Sequence, residues 1–108
     1  MKKKDREHLG KVAKLGCYCC RADKRGWVEP MVHHIREGMG MGQKASDYQT
    51  IPLCEGHHQG LVDHDGTKIA FHRSPKAWRD RYGSEKMIAQ AIYDLIRKLD
   101  ETNPGWHL

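Results

Sequence analysis

Apolar residues along this chain follow two different periods. Between positions 84 and 102 they recur every three or four residues, at Met87, Ile88, Ala91, Ile92, Leu95, Ile96 and Leu99, the spacing of one broad face of an α-helix. Ser84 starts this helix, and Asn103-Pro104-Gly105 stops it. Just upstream, "HRSPKAWRDRYG" carries its own helix punctuation: Ser74 as a cap, Pro75 at the first helical position and Gly83 at the end. Earlier in the chain the period shortens. "WVEPMVHHI" and "YQTIPLC" read as extended segments, and Pro30 assigns the first to a sheet edge. A short helix is predicted over residues 3–15, bearing Leu9, Val12, Ala13 and Leu15 and weakened by Gly10. "CYCCRADKRG" forms a tight knuckle after it, and "EGHHQGLVDH" a short helix after the second strand. This order predicts an α+β fold in one domain over residues 1–108: an N-terminal helix or arm (1–16), a knuckle with a small ββα core (17–72) and two C-terminal helices (73–108). The apolar stripe of the last helix is expected to pack on its own domain, which predicts a monomer.

Composition narrows this picture. Only 38% of the 108 residues are apolar and 31% are charged, so the core is modest and a bound metal would matter to stability. The formal charge of +5 is unevenly spread. Residues 1–25 hold nine basic and three acidic side chains, a local +6, and the remaining ten basic and eleven acidic sum to −1. A basic arm of this kind attracts phosphate backbones without reading sequence. No apolar run is long enough for a membrane span, and "MKKKDREHLGKV" has no apolar stretch behind its lysines, so a cytoplasmic protein is expected. In that compartment four cysteines suit metal binding or free thiols better than disulfides.

The spacing of those cysteines is specific. Cys17 and Cys20 form C-x2-C, and Cys54 and His57 form C-x2-H. Two such pairs supply the four ligands of a tetrahedral structural zinc, each pair biting from one knuckle. Cys19 offers an alternative to Cys20 through a C-x-C bite. His33, His34, His58 and His64 remain. Neighbouring side chains of a strand point to opposite faces, so His33 and His34 have different tasks. If the strands and short helix pack together, His33 and His58 can hold a divalent cation, which leaves His34 to act on a water. Such an arrangement suits phosphodiester hydrolysis: the cation polarises the phosphate, and a near-neutral imidazole takes the proton of the attacking water.

These residues resemble the HNH, or ββα-metal, nucleases, in the branch framed by paired zinc-binding cysteines. The first signature of that family, [DH]-H followed by an aliphatic residue, appears here as His33-His34-Ile35. The resemblance implies that His34 is the general base and His33 the first metal ligand. The closing signature, L-C-x2-C-H, appears as Leu53-Cys54-Glu55-Gly56-His57-His58. It implies His57 as a zinc ligand in place of cysteine and His58 as the second ligand of the catalytic ion. A closer resemblance, over roughly residues 15–100, is to the phage recombination-enhancement nucleases of the Ref family: "GMGQKASDYQTIPLCEGHH" and "RDRYGS" match their segments in order. That likeness implies a metal-dependent DNA endonuclease, phage-encoded or of a bacterial host, with a structural Zn2+, a catalytic Mg2+ or other divalent ion, and DNA and a RecA-type filament as partners. The middle asparagine of the HNH pattern is absent. Spacing from Cys54 points to Gln49, whereas the Ref-like pattern puts Asp47 in that role, and we favour Asp47 as the brace of the loop that orients the base. Arg36 and Lys44 are natural phosphate contacts, glycines 38, 40 and 42 allow close backbone approach, and His64 is an extra candidate ligand. The competing function is a non-catalytic zinc module that binds nucleic acid or a recombination protein; only the enzyme needs His34.

Overall fold

The computed structural model describes residues 2–40, 42–43, 45–60 and 67–108, so the expectations for Lys44 and His64 fall outside the described residues. The elements run α1 (Lys3–Lys14), α2 (Tyr18–Ala22), β1 (Met31–His34), β2 (Thr50–Leu53), α3 (Glu55–His58), α4 (Pro75–Tyr82) and α5 (Glu85–Thr102). The fold is the small α+β arrangement expected of a ββα-metal core, with a Cys3His cluster at its knuckle.

β1 and β2 pair antiparallel, His33 opposite Ile51 and His34 opposite Thr50. The Ile35 N–H donates to the Gln49 carbonyl at 3.1 Å. Because bonded and non-bonded pairs alternate along an antiparallel ladder, the 33/51 and 31/53 pairs then also fall in the bonded phase. Pro52, opposite Val32, falls in the non-bonded phase, where its missing N–H costs the ladder nothing. β2 is buried along its whole length. Pro52 lines a cavity with Leu15, Ile92 and Leu95 on the α1 and α5 side, whereas the His33 ring packs within 4.5 Å of Phe71 on the other face.

Several boundaries differ from the sequence expectation. Trp27–Pro30 is not strand, so β1 begins only after Pro30. Tyr48 and Gln49 belong to the turn that enters β2. Among the described residues α3 ends at His58, where Gly60 takes φ +78. A Cβ at Gly60 would sit 2.8 Å from that of Ala70. Glycine at this point therefore allows the return strand of chain to lie against α3, with Phe71 N–H donating to His57 O and His72 N–H to His58 O. Ser74 makes no capping hydrogen bond, because Pro75 already fixes the first turn of α4. Ser84 does cap α5, accepting from the Met87 N–H at 3.4 Å.

The inward face of α5 is also rotated from the expected one. Glu85, Ile88, Ala89, Ile92 and Ile96 are buried, while Ala91 faces solvent and Met87 and Leu95 are 75% and 38% exposed. The row 85-88-92-96 carries the contact, and its first member is a carboxylate that no hydropathy pattern would place inside. Burying Ile92 and Ile96 contributes about 2 kcal/mol each. Trp78 of α4 is fully buried and packs edge-on against Phe71, ring centres 5.5 Å apart. Among the described residues no helix is long and apolar enough to cross a membrane.

Candidate active site

The paired spacings converge as their geometry requires. α2 presents Cys17 and Cys20, and the start of α3 presents Cys54 and His57, all four buried. The Sγ atoms of Cys17, Cys20 and Cys54 lie 3.6, 3.4 and 3.4 Å from His57 Nδ1, and Cys20 Sγ lies 3.6 Å from Cys54 Sγ. With metal–sulfur and metal–nitrogen bonds of about 2.3 and 2.0 Å, the edges of a tetrahedral zinc site are about 3.5 to 3.8 Å. The four groups therefore fit zinc with little adjustment. Burial pushes the Cys20 thiol up to about 12 and raises Cys17 as well; it would raise Cys54 too, but hydrogen bonds from the His57 backbone and Cys20 hold that thiol below its ordinary value. Full ionisation of the set thus calls for a cation. Three thiolates around Zn2+ leave one negative charge, and Lys68 Nζ stands 3.4 Å from Cys54 Sγ to offset it. His57 Nε2 lies 3.3 Å from the Tyr82 hydroxyl, which donates to Asp23 at 2.5 Å. With its proton on Nε2, His57 directs a bare Nδ1 into the cluster. Cys19 is buried outside it, its thiol pushed far upward by desolvation, so the C-x-C alternative is not formed.

A second group gathers around His58, the residue that follows His57 in α3. Ligand atoms of His33, His58 and His72 fall within 4.8 Å of one another. His33 and His58 are buried, while His72 is exposed, so the cluster is open on one side. His58 and His72 approach Nε2 to Nε2 at 3.0 Å. That is about the separation of two adjacent nitrogens on an ion with bonds near 2.1 Å. Burial, with the neighbouring His33 and His72, holds His58 down at about 4, so it stays neutral and able to ligate at neutral pH. His33 Nε2 lies 2.8 Å from the carboxylate of Glu85.

His34 leaves the same strand end on the opposite face. It is half-buried, and its Nε2 lies 2.7 Å from Asp47 Oδ1. Gln49, the other candidate, accepts from the Ser46 N–H and so stabilises its own turn. Asp47 therefore touches the imidazole itself rather than only the loop. Arg36 is exposed, its guanidinium on the Gln43 carbonyl at 3.2 Å; its charge is felt at His72.

Sequence reasoning missed His72, which stands alone fourteen residues beyond His58 and arrives only because Phe71 and His72 lie back against α3. It also missed Asp23, Tyr82 and Lys68 around the thiolates and Glu85 behind His33. A single polar side chain on a helix or in a loop gives no sign in the sequence that it will reach a buried centre.

These groups set an expected acid profile. The unfolded His58 takes up a proton near pH 6.5 that the folded one refuses until about 4, so folding weakens as pH falls through that window. Burial alone would raise Glu85, but hydrogen bonds from His33, Arg79 and the Arg36 backbone bring it down to about 2. Its contribution is complete above pH 4.5 and is lost between 4.5 and 2. Urea midpoints at saturating zinc should fall in both intervals; a midpoint level from pH 7 to 5 would contradict the His58 part.

Comparison with known proteins adds one positive finding. A family model described as recombination enhancement, RecA-dependent nuclease matches residues 2–97. No curated protein and no solved structure gives a significant match. The matched span contains the thiolate cluster, all three imidazoles of the open cluster and the His34–Asp47 pair. The chain belongs to the RecA-dependent nucleases of recombination enhancement.

Proposed function

We propose that this protein is an HNH-type endonuclease that hydrolyses phosphodiester bonds of DNA, acting in the cytoplasm with a RecA-type filament. The observation that carries the reading is the division of labour at the end of β1: His33 turns into a three-imidazole cluster while His34 turns to a carboxylate on the other face. With Nε2–H donated to Asp47, His34 keeps a lone pair on Nδ1 and takes the proton of the water that attacks phosphorus. Asp47 holds that tautomer and stabilises the imidazolium that forms. His33, His58 and His72 would hold the catalytic divalent ion, Mg2+ or a similar cation, which supplies Lewis-acid polarisation of the phosphate and neutralises charge on the departing oxygen. Cys17, Cys20, Cys54 and His57 hold a structural zinc in this scheme, and Arg36, with Lys44 from the same loop, contacts the DNA backbone. The arm bearing the excess positive charge adds affinity without sequence preference, which predicts a steep fall of binding with salt.

A zinc module that only binds nucleic acid would have no use for either the open imidazole cluster or the His34–Asp47 pair. Plasmid nicking in Mg2+ or Mn2+, on single- and double-stranded DNA, with and without a RecA filament, tests the proposal directly. Cleavage is expected in at least the filament condition, and its absence throughout would end the nuclease reading. His72→Ala should weaken Mn2+ binding by about tenfold or more. Its cleavage should therefore recover in part as Mn2+ is raised, a rescue that loss of the base would not show.

A further inference from the structure

We propose that Glu85 is a positioning residue of the divalent-ion site: it fixes the Nε2–H tautomer of His33 and so presents the Nδ1 lone pair of that ring to the cation. The inference rests on the reading of the three-imidazole cluster as that site.

Glu85 opens α5, a position where acidic side chains usually stay in water and interact with the helix dipole. Here it is fully buried. It is also free of capping duty, since the first N–H groups of α5 are served by others: Ser84 Oγ accepts from Met87 and the Glu37 carboxylate from Lys86. Glu85 instead reaches across to the end of β1. Its Oε2 accepts from His33 Nε2 at 2.8 Å and the Arg36 N–H at 3.0 Å; its Oε1 accepts from the Glu37 N–H at 3.1 Å and Arg79 Nη2 at 2.8 Å. Each oxygen thus takes one side-chain and one backbone donor. Two backbone bonds and a guanidinium fix where the carboxylate can be.

An acceptor so placed demands a proton on His33 Nε2. The neutral ring then has a single lone pair, on Nδ1. Glu85 is not itself part of the metal-ligand group, which contains only the three imidazoles. A carboxylate behind a metal-ligating imidazole sets ring orientation and raises ligand basicity, and its loss commonly weakens metal affinity 10- to 100-fold. Arg79 balances the charge, so the carboxylate can remain ionised in a buried position whether or not an ion occupies the cluster.

The test uses zinc-loaded protein, with Mn2+ as the probe. Calorimetric titration of wild type and Glu85→Gln should show Mn2+ binding about 10- to 100-fold weaker in the variant, at unchanged zinc content. Nitrogen–proton correlation spectra of the histidine rings should show the Nε2–H form of His33 dominant in wild type and a new Nδ1–H population in Glu85→Gln, which purely structural destabilisation would not produce. Glu85→Asp, which keeps the charge on a shorter stem, should recover part of the affinity. A folded Glu85→Gln protein with wild-type Mn2+ affinity and unchanged tautomer would overturn the proposal. So would an Nδ1–H form of His33 in the wild-type spectrum, a measurement that needs no variant to fold. If wild type binds no second ion beside zinc, the reading of the cluster fails first, and the proposal with it.

Discussion

His34→Ala is expected to lower DNA cleavage by about 10²- to 10⁴-fold, the usual contribution of a positioned general base. Zinc content, melting temperature and DNA affinity should hardly change. The side chain sits partly exposed at the end of a strand, where Asp47 is its side-chain partner among the described residues, and a substitution of that kind typically costs less than about 1 kcal/mol of stability. The chemical loss is larger by several kcal/mol, so the two effects are separable in one preparation. Asp47→Asn should also reduce turnover, because an amide can present its NH2 to Nε2 and reverse the tautomer that the carboxylate enforces. A folded, zinc-replete His34→Ala protein that nicks DNA at the wild-type rate would remove the proposed mechanism, whatever else cut the substrate.

If the Cys3His cluster holds zinc as proposed, stripping that ion should unfold the chain. Apparent binding free energies of structural zinc in small domains are about 10–16 kcal/mol, against a net folding stability of about 5–15 kcal/mol for a domain. The ion is therefore comparable to the whole margin. Bound there, it would join α2 to α3 across more than thirty residues of chain and lower the entropy of the unfolded state as any cross-link does. Cys54→Ser should have the same result, with helical circular dichroism and the melting transition lost together. If the imidazole cluster holds the catalytic ion proposed above, mild chelation that removes only that ion should stop cleavage and leave the melt in place. A thermal melt indifferent to zinc would contradict the structural role.

Both predictions draw on features that local spacing made readable. The cysteine and histidine pairs each lie within one turn, so the sequence placed their ligands together before any fold was known, and the opposite directions of His33 and His34 follow from the pleat alone. What needed the structure was everything set by long-range contact. His72 reaches His58 because residues 70–72 lie back against α3, and Glu85 reaches His33 from 52 residues along the chain. The same contact explains the misplaced face of α5. Counting apolar residues included Met87 and Leu95, while the true inward row begins with a carboxylate whose burial is compensated by donors from β1, the loop after it and α4. Ser74 illustrates a milder limit, a residue of the right type in the right place whose capping role the neighbouring proline made unnecessary.

The two-stranded sheet of the described residues has two outer borders, that of β2 covered within the fold and that of β1 partly exposed, and an exposed border is a template on which another chain could lay a strand and start aggregation. Here both borders carry an imino acid. Pro30 stands immediately before β1, and Pro52 sits within β2 with its donor-less nitrogen turned away from the ladder. The protein can thus keep its minimal sheet short without inviting intermolecular β-pairing when many copies crowd together.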